Sequence, residues 1–440
     1  MKTCPDFAVT SMVARIPLTA VALGMALIAA CSTEPVDRET LEADEASEER
    51  SLETVDNEDG TWSYVLADDF DPGTLIEGSI ITWRYAEQAR FSHEPTFGGE
   101  RSFVVPEEEV VDPYEQLMQM RRVDRQGRVW VVDSIDRDAW EAVRAAHPDE
   151  LEADAEVLAP ATLRASEPEP EPGTVVTWKP ASWTHSDCVP GGGLFTPNEL
   201  HVWEGDSRTI INSGHTLRQQ TAVRIQVNNT TVCSGVILMQ DEVLTAAHCV
   251  SDDSNNPINV NTVRVCRDDI SACIDAEDID FSGSYGGGSG SGGGTDFSDD
   301  WAIIELDETW SAAGFGTAED MDLSRAGDGV LDNLTKVHNL AFPQFLPGCA
   351  VSSGNTLIHN LEQEPIASIT SKRLRLKLDG SPGHSGSPIY YCPAGDDNVC
   401  GSGEKGFVIG VFAGWNSATD RHVGPKSASF RDAALAFLND

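Results

Sequence analysis

The sequence contains little positive charge for its length. Its 440 residues include 30 Lys and Arg against 72 Asp and Glu, which gives a formal net charge of −42 at pH 7. A chain this acidic repels phosphate backbones and anionic lipid headgroups, so nucleic acid is not expected as a partner. The hydrophobic fraction of 40% nevertheless falls in the range of globular proteins, so most of the chain is expected to fold.

The sequence also lacks, at its N-terminus, an apolar run long enough to cross a membrane. The run at residues 16–30 is shorter than the ~20 residues that a spanning helix needs, and basic residues precede it, as in an export signal. Cys31 follows directly in a setting that resembles the bacterial lipobox. A signal peptide over 1–30 and lipid attachment at Cys31 are therefore expected, and a plain signal peptide followed by an incidental cysteine is the alternative. Ser32 favours the outer membrane, so the chain is predicted to lie in the bacterial cell envelope or outside the cell, with membrane contact through the lipid alone.

Composition divides the rest of the chain into four parts. Residues 31–60 are acidic and nearly devoid of apolar side chains, which predicts a disordered tether. Residues 61–165 contain aromatic residues, a strand and a helix over Asp136–Pro148, which predicts a small α+β unit that is either a pro-segment or an accessory domain. Alternating Glu and Pro make residues 166–197 a stiff linker, and residues 198–440 form the last domain.

This last domain lacks the helical runs that alternate with strands in a parallel sheet. Short β-branched runs such as Ala222–Val227 and Trp301–Leu306 recur between Gly and Asn or Asp turns. Many short strands at this spacing favour barrels or a sandwich. Apolar residues at helical spacing over Phe430–Leu438 predict a helix that closes the domain.

Three local clusters contain the residue types of acyl transfer. His248 follows an apolar strand and two alanines, Asp300 precedes an apolar strand, and Ser385 lies in a Gly-x-Ser-Gly-Ser-Pro segment. A hydroxyl attacks a carbonyl only when a base takes its proton and an acid orients that base. We therefore expect Ser385 to be the nucleophile, His248 the base and Asp300 its orienting acid. Gly383 allows a turn that points its own N–H and that of Ser385 at the developing oxyanion.

These motifs together resemble those of chymotrypsin-fold, trypsin-like serine proteases, nearest the bacterial V8-like glutamyl endopeptidase branch, here in a bacterial lipoprotein precursor. The segments that carry the resemblance are Gly205–Ile211, Cys233–Gly235, Thr245–Cys249, Asp300–Ala302 and Gly383–Pro388. The order His, Asp, Ser differs from that of α/β-hydrolases and subtilisins.

The resemblance implies a mainly β fold: a double six-stranded antiparallel β-barrel with a C-terminal helix, preceded by the small α+β unit. It implies a secreted, lipid-anchored serine endopeptidase that cleaves protein or peptide substrates with no cofactor and no metal. The alternative is a catalytically silent surface module that keeps this fold and binds a partner without cutting it. Nothing in the sequence indicates the oligomeric state.

The cysteines agree with export, because eight, an even number, remain after Cys4 of the leader and Cys31 are set aside. The sequence has no Cys-x-x-Cys pair of the kind that binds zinc. Four disulfides are expected: one implied by the resemblance, two between cysteines close in sequence, and one by elimination. In that order the pairs are Cys233–Cys249, then Cys266–Cys273 and Cys392–Cys400, then Cys188–Cys349.

The resemblance also implies where the substrate side chain is bound. The pocket residues it indicates are Asp379, Phe412, Ala413, Gly414 and Trp415. An acid at Asp379 suits a basic substrate residue, whereas Phe412 stands where glutamate-specific relatives have His, so the residue preference stays open. Activation stays open too, because a trypsin-type Ile-Val-Gly-Gly start is missing and His384 replaces the acid that would receive a new amino terminus.

Overall fold

The structure is a computed structural model, and it describes most of the chain from residue 52 onward. The described ranges are 52–92, 101–104, 112–147, 175–180, 208–211, 216–251, 256–268, 271–282, 299–316, 320–332, 334, 336–344, 346, 352, 354–363, 366–370, 372–392, 405–416 and 421–440. For 92, 101–104, 175–180, 217–218, 362–363, 415–416 and 421 only the main chain is described. Residues 52–440 cluster as one compact unit, and the predicted signal peptide and Cys31 lie outside the described residues.

The described residues before position 181 form short strands and two helices. These are β1 (Thr54–Asp56), β2 (Thr61–Tyr64), β3 (Leu75–Glu77), β4 (Ile81–Gln88), β5 (Phe91–Ser92), β6 (Arg101–Val104), α1 (Pro113–Met118), β7 (Met120–Asp124), β8 (Arg128–Ile135), α2 (Arg137–Ala146) and β9 (Val175–Pro180). Helix α2 matches the helix predicted from the sequence, and the Asp136 side chain caps it by accepting from the N–H groups of Asp138 and Ala139.

The middle of the chain is almost entirely strand. Its elements are β10 (Arg208–Ile210), α3 (Leu217–Gln220), β11 (Ala222–Val227), β12 (Thr230–Ile237), β13 (Glu242–Thr245), β14 (Val263–Arg267), β15 (Ala272–Ser282) and β16 (Ala302–Leu306), with 3-10 turns at Ala247–Cys249 and Val260–Thr262.

The last part adds further strands and the C-terminal helix. Its elements are β17 (Asp322–Leu323), α4 (Asp328–Leu331), β18 (Lys336–Ala341), β19 (Ile358–Gln363), β20 (Ile366–Ile369), β21 (Arg373–Leu376), β22 (Pro388–Tyr391), β23 (Phe407–Val411), β24 (Gly414–Asn416), β25 (Arg421–Pro425) and α5 (Ser427–Phe437).

Six of these strands close into an antiparallel barrel in the order β14-β11-β12-β13-β16-β15, because β14 also pairs with β15. β-branched and other apolar side chains fill its interior, and Val223, Ile225, Val236 and Ile304 are all fully buried. Burying a side chain of this size stabilises the fold by roughly 1.5–3 kcal/mol. This first barrel is the scaffold for the residues around His248.

The N-terminal strands continue the wall of this barrel. β7 pairs antiparallel with β15, and β8, β4 and β3 follow, so that the sheet contains ten strands. Helix α5 packs against α1 and α2, and the indole N–H of Trp140 donates to the carbonyl of Asp432 at 3.0 Å. The unit predicted for residues 61–165 therefore shares a sheet and a hydrophobic core with the barrel.

A buried ionic cluster lies where β7 meets the barrel. Arg122 donates from Nε and Nη2 to the two oxygens of Asp280, each at 2.9 Å, and it also lies 3.9 Å from Asp278 and 3.8 Å from Glu305. Burial raises the pKa of Asp278 to about 8, although Arg122 opposes the shift. Burial likewise raises the pKa of the neighbouring Glu242 to about 9.

The remaining strands form two further six-stranded sheets, β10-β19-β18-β22-β23-β17 and β20-β21-β25-β24-β9-β6. An isolated bridge between Gly410 and Lys426 connects them. The fold is mainly β, with a closed six-stranded antiparallel barrel and a C-terminal helix, and it agrees with the predicted chymotrypsin-like class. Among the described helices, none is long and apolar enough to cross a membrane.

Candidate active site

His248 and Asp300 form a buried pair. The Nδ1 atom of His248 lies 2.8 Å from Oδ2 of Asp300, and the main-chain N–H of His248 donates to Oδ1 at 3.0 Å. An ionised carboxylate can only accept, so in a neutral imidazole this contact favours the tautomer with its proton on Nδ1 and its lone pair on Nε2. That tautomer is the one a general base needs.

The position of His248 follows from the strand before it. β13 ends at Thr245, and the chain then turns through the 3-10 segment Ala247–Cys249. The disulfide Cys233–Cys249, with Cα atoms 6.0 Å apart, ties this turn back to β12. The histidine is therefore anchored on both sides, by hydrogen-bonded strand and by a covalent bridge.

The packing of the next residue, Trp301, fixes the position of Asp300. Trp301 is fully buried, and its ring stacks on Phe430 of α5 with centroids 4.9 Å apart. β16 begins at Ala302 and pairs with β13, which brings Asp300 beside the turn that carries His248. The two residues are separated by 52 positions in the sequence but meet because β13 and β16 are neighbours in the barrel.

Ser385 lies in a tight turn between Asp379 and β22. Its hydroxyl donates to the carbonyl of Ala413 at 3.4 Å. The next residue, Gly386, has φ +81°, and a Cβ there would overlap Oγ1 of Thr245 and the carbonyl oxygen of Ser234. Only glycine allows this approach, which presses the Ser385 turn against the end of β13 and hence toward His248.

Two peptide planes of this turn are fixed through their carbonyls. The carbonyl of Pro382 accepts from the N–H of Gln344 at 2.7 Å, and that of His384 accepts from the N–H of Ser387 at 2.9 Å. In a trans peptide the N–H points opposite to the carbonyl, so the N–H groups of Gly383 and Ser385 each point away from the group that the carbonyl of the same peptide binds. These are the two donors predicted for the oxyanion, and Gly383 adopts φ +94° as that turn requires.

Ser234 is a buried residue to which the sequence assigns no role, although its Cys-Ser-Gly segment is part of the resemblance. Its hydroxyl donates to the carbonyl of Gly383 at 2.7 Å and accepts from the N–H of Phe342 at 2.8 Å. Its main-chain N–H donates to the carbonyl of Ser385 at 2.8 Å. A buried serine on β12 thus positions both residues predicted to bind the oxyanion.

The predicted pocket residues gather next to this turn. Asp379, Phe412 and Ala413 are fully buried, Gly414 begins β24, and the side chain of Trp415 lies outside the described residues. The Phe412 ring lies 4.6 Å from the ring of His422, centroid to centroid. A Cβ at Gly380 would lie 2.5 Å from that phenyl ring and 2.6 Å from the imidazole of His422, so no larger residue fits at position 380.

His384 is buried and belongs to the turn. Its Nδ1 lies 2.9 Å from the carbonyl of Ser381, and its ring centroid lies 5.5 Å from that of Phe412. These contacts agree with a loop residue and not with a second base.

The structure contains two of the expected disulfides within its described residues, Cys233–Cys249 and Cys266–Cys273. Cys392 is also disulfide-bonded, whereas Cys188, Cys349 and Cys400 lie outside the described residues. Cys233, His248 and Cys249 lie as close together as the ligands of a metal ion do, but the two sulfurs are bonded to each other. The disulfide therefore explains their arrangement.

The site is closed to solvent in this structure. Ser385, His248 and Asp300 each have a relative exposure of 0%. A substrate therefore has no access to Ser385 in this conformation.

Comparison with known proteins relates part of the chain to a protease family. The family model Trypsin matches residues 211–330, which include the first barrel with His248 and Asp300 but not Ser385. This match supports a trypsin-like serine protease domain. No curated protein matches the chain.

Two solved structures are similar at low identity. One is a Glu endopeptidase in complex with MPD, at 16% identity and TM-score 0.39, covering 53% of this chain and 97% of that one. The other is the VesB protease of Vibrio cholerae, at 18% identity and TM-score 0.36, covering 53% of this chain and 67% of that one.

Proposed function

We propose that the protein is a serine endopeptidase that hydrolyses peptide bonds through an acyl-enzyme on Ser385. The observation that carries this proposal is the buried contact between His248 Nδ1 and Asp300 Oδ2 at 2.8 Å, next to a turn that holds Ser385. Such a contact fixes the imidazole in the tautomer and orientation that proton transfer needs.

In the proposed reaction Ser385 Oγ attacks the carbonyl carbon of the scissile peptide, and its proton passes to Nε2 of His248. The imidazolium that forms is stabilised by Asp300. The carbonyl oxygen becomes negatively charged and is bound by the N–H groups of Gly383 and Ser385, and each such donor lowers the barrier by roughly 3–4 kcal/mol in comparable sites.

The second half of the reaction reverses these roles. His248 returns the proton to the leaving amine, the C–N bond breaks, and the acyl group stays on Ser385 as an ester. A water molecule then gives its proton to His248 and attacks the ester, which releases the acid and restores the serine.

Labelling with a small fluorophosphonate tests the proposal. We expect a covalent adduct on Ser385 once limited proteolysis has opened the site, identified by mass spectrometry of the digested protein, and complete loss of labelling in Ser385→Ala treated in the same way. Ser429→Ala on α5 is the matched control, because its hydroxyl donates to the main-chain carbonyls of Lys426 and Lys372, and it should leave labelling unchanged. If the folded, proteolysed chain stays unlabelled, the silent binding module is the better description.

We also propose that the chain is exported and anchored in the bacterial envelope through lipid on Cys31. The support is the sequence alone, namely the short apolar run and the cysteine directly after it. The acidic segment after Cys31 would keep the folded part away from an anionic surface. Incorporation of radiolabelled palmitate in the wild-type chain, and its loss in Cys31→Ser, is the expected result, and equal incorporation in both would contradict it.

A further inference from the structure

Strand β24 begins beside the proposed nucleophile. Its first residue, Gly414, follows Ala413, whose carbonyl lies 3.4 Å from Ser385 Oγ. A carbonyl carbon under attack must lie ~3–3.5 Å from the attacking oxygen. An extended peptide with its scissile carbonyl at Ser385 would therefore run along β24, where antiparallel pairing can hold its main chain.

Both edges of β24 are occupied in the structure. β25 pairs with one edge, and β9, which comes from the N-terminal half of the chain, pairs with the other. β9 is itself held on its far side by β6, so it is an interior strand of a six-stranded sheet. An incoming peptide therefore finds no unpaired edge on β24.

β9 runs along β24 in the direction that a bound substrate would take. Trp178 pairs with Asn416, Lys179 with Trp415, and Pro180 with Gly414. The carboxyl end of β9 is thus the end nearest Ala413 and Ser385. The acyl part of a substrate approaches a nucleophile in the same direction, with its carbonyl end leading.

A third observation concerns access. Ser385 and His248 are fully buried in this conformation, although the proposed reaction requires both to contact substrate. Occupation of β24 by β9 and burial of the nucleophile are the features expected of a latent enzyme.

We propose that Val175–Pro180 is an intramolecular ligand of the β24 edge and keeps the peptidase latent until this strand leaves the sheet. The inference rests on the peptidase function proposed above and assigns its regulation. β9 competes with substrate because both use the same main-chain groups of Gly414–Asn416. A tethered segment reaches an effective concentration on the order of 1 mM. If the free segment bound β24 with a dissociation constant of ~0.1 mM, the tethered segment would weaken the binding of a dilute peptide about tenfold.

The test uses the full chain with one proline substitution. Lys179→Pro removes an N–H from β9 opposite Trp415, and proline is poorly tolerated inside a sheet. Ile366→Pro at the start of β20 is the matched control, because it lies in the opposite edge strand of the same sheet and pairs with β21 instead of β9 or β24. A second variant replaces residues 175–180 with a Gly-Ser hexapeptide, in case Lys179→Pro does not fold.

We expect Lys179→Pro and the Gly-Ser variant to hydrolyse a quenched fluorogenic peptide library about tenfold faster than wild type, the gain inferred from the effective concentration of a tethered strand. Ile366→Pro should stay close to wild type. A synthetic Val-Val-Thr-Trp-Lys-Pro peptide added to the activated variants should restore inhibition, and a scrambled peptide should not.

Equal hydrolysis by wild type and both β9 variants would overturn the inference while leaving the peptidase assignment intact. Absence of both hydrolysis and fluorophosphonate labelling in all folded variants would instead overturn the proposed function, and the inference with it. Labelling is read separately from hydrolysis, so the two failures are distinguishable.

Discussion

Two of the contacts between the N-terminal half of the chain and the rest of the molecule differ in kind. At the first barrel, β7 adds to β15, and the contact includes a shared hydrophobic core and a buried arginine. At the proposed cleft, β9 adds to β24 through three main-chain residue pairs. The first contact builds the fold, whereas the second covers a functional edge.

This difference shows how one segment can serve two purposes. A buried side-chain contact is costly to break. Without Arg122, the Asp280 carboxylate, which is only 1% exposed, would be buried with no ion-pair partner. Main-chain pairing can be exchanged for pairing with another extended peptide, since both present the same donors and acceptors. We therefore expect substitutions at the barrel contact to change stability most, and substitutions at the cleft contact to change activity most.

The largest effect on stability is expected from Arg122→Ala. It removes both hydrogen bonds to Asp280 and leaves that carboxylate buried, which typically costs about 3–5 kcal/mol of unfolding free energy. Equilibrium unfolding in urea measures the change. Arg84→Ala is the control, because its ion pair with Asp133 is exposed and is expected to contribute only ~0–1 kcal/mol. Equal losses in the two variants would show that burial at this contact is unimportant.

A smaller loss is expected from Asp440→Ala. This carboxylate accepts from the N–H groups of Ile80 and Ile81 at 2.9 and 2.7 Å and from the indole N–H of Trp83 at 3.2 Å. Hydrogen bonds to a charged group contribute about 1.5–3 kcal/mol, so we expect a loss of about 2 kcal/mol in thermal or urea unfolding. Asn439→Ala, which removes one bond to a helix carbonyl, should cost clearly less, and the reverse order would contradict this account.

The ionic cluster should also make stability depend on pH. Burial raises the pKa of Asp278 to about 8, so the folded chain keeps a proton that the unfolded chain releases near pH 4. The folded state therefore binds more protons between these values, and the unfolding free energy falls as the pH rises from about 4 to 8. Glu242, with its pKa raised to about 9, acts in the same direction.

Asp278→Asn tests this dependence. The substitution removes the ionisation, so the variant should be about 1 kcal/mol more stable than wild type at pH 8, a typical size for one buried polar group. The difference should shrink as the pH is lowered toward 4. Urea unfolding at several pH values gives both curves, and parallel curves would show that Asp278 ionises as an ordinary surface acid.

The smallest effect on stability is expected at the cleft contact. Lys179→Pro breaks main-chain pairing but leaves no charge buried in the described part of the chain, so we expect a loss of about 1 kcal/mol, the net value of a hydrogen bond. Circular dichroism during urea unfolding measures it. A loss as large as that of Arg122→Ala would mean that β9 is a structural strand like β7 and not a releasable one.

Local motifs are sufficient to predict several elements and to select the residues proposed for the site. Ala222–Val227 is a strand with the predicted bounds, and Asp136 is the cap of α2. The pairing of His248 with Asp300 can be expected because each residue lies at the end of an apolar strand, where barrel neighbours bring strand ends together. Their roles in catalysis remain predictions.

The additions of β7 and β9 could not be predicted. Alternating apolar and polar residues indicate that a segment is a strand, but they do not indicate which strand it pairs with. β7 pairs with β15, which lies more than 150 positions away in the sequence. β24 is three residues long, too short for any periodicity to show, and its partner β9 lies within residues 166–197, where the Glu and Pro pattern predicts a linker. The role of Ser234 could not be predicted either, because a serine within an apolar strand has no distinctive pattern.

Direct observation of the acyl-enzyme tests the central claim. Lys179→Pro is mixed with an activated peptide ester and quenched in acid within milliseconds to seconds, and its mass is then measured intact and after digestion. We expect the mass of the acyl group on the peptide that contains Ser385. Turnover of the ester with no covalent adduct, or an adduct on a different residue, would contradict the account.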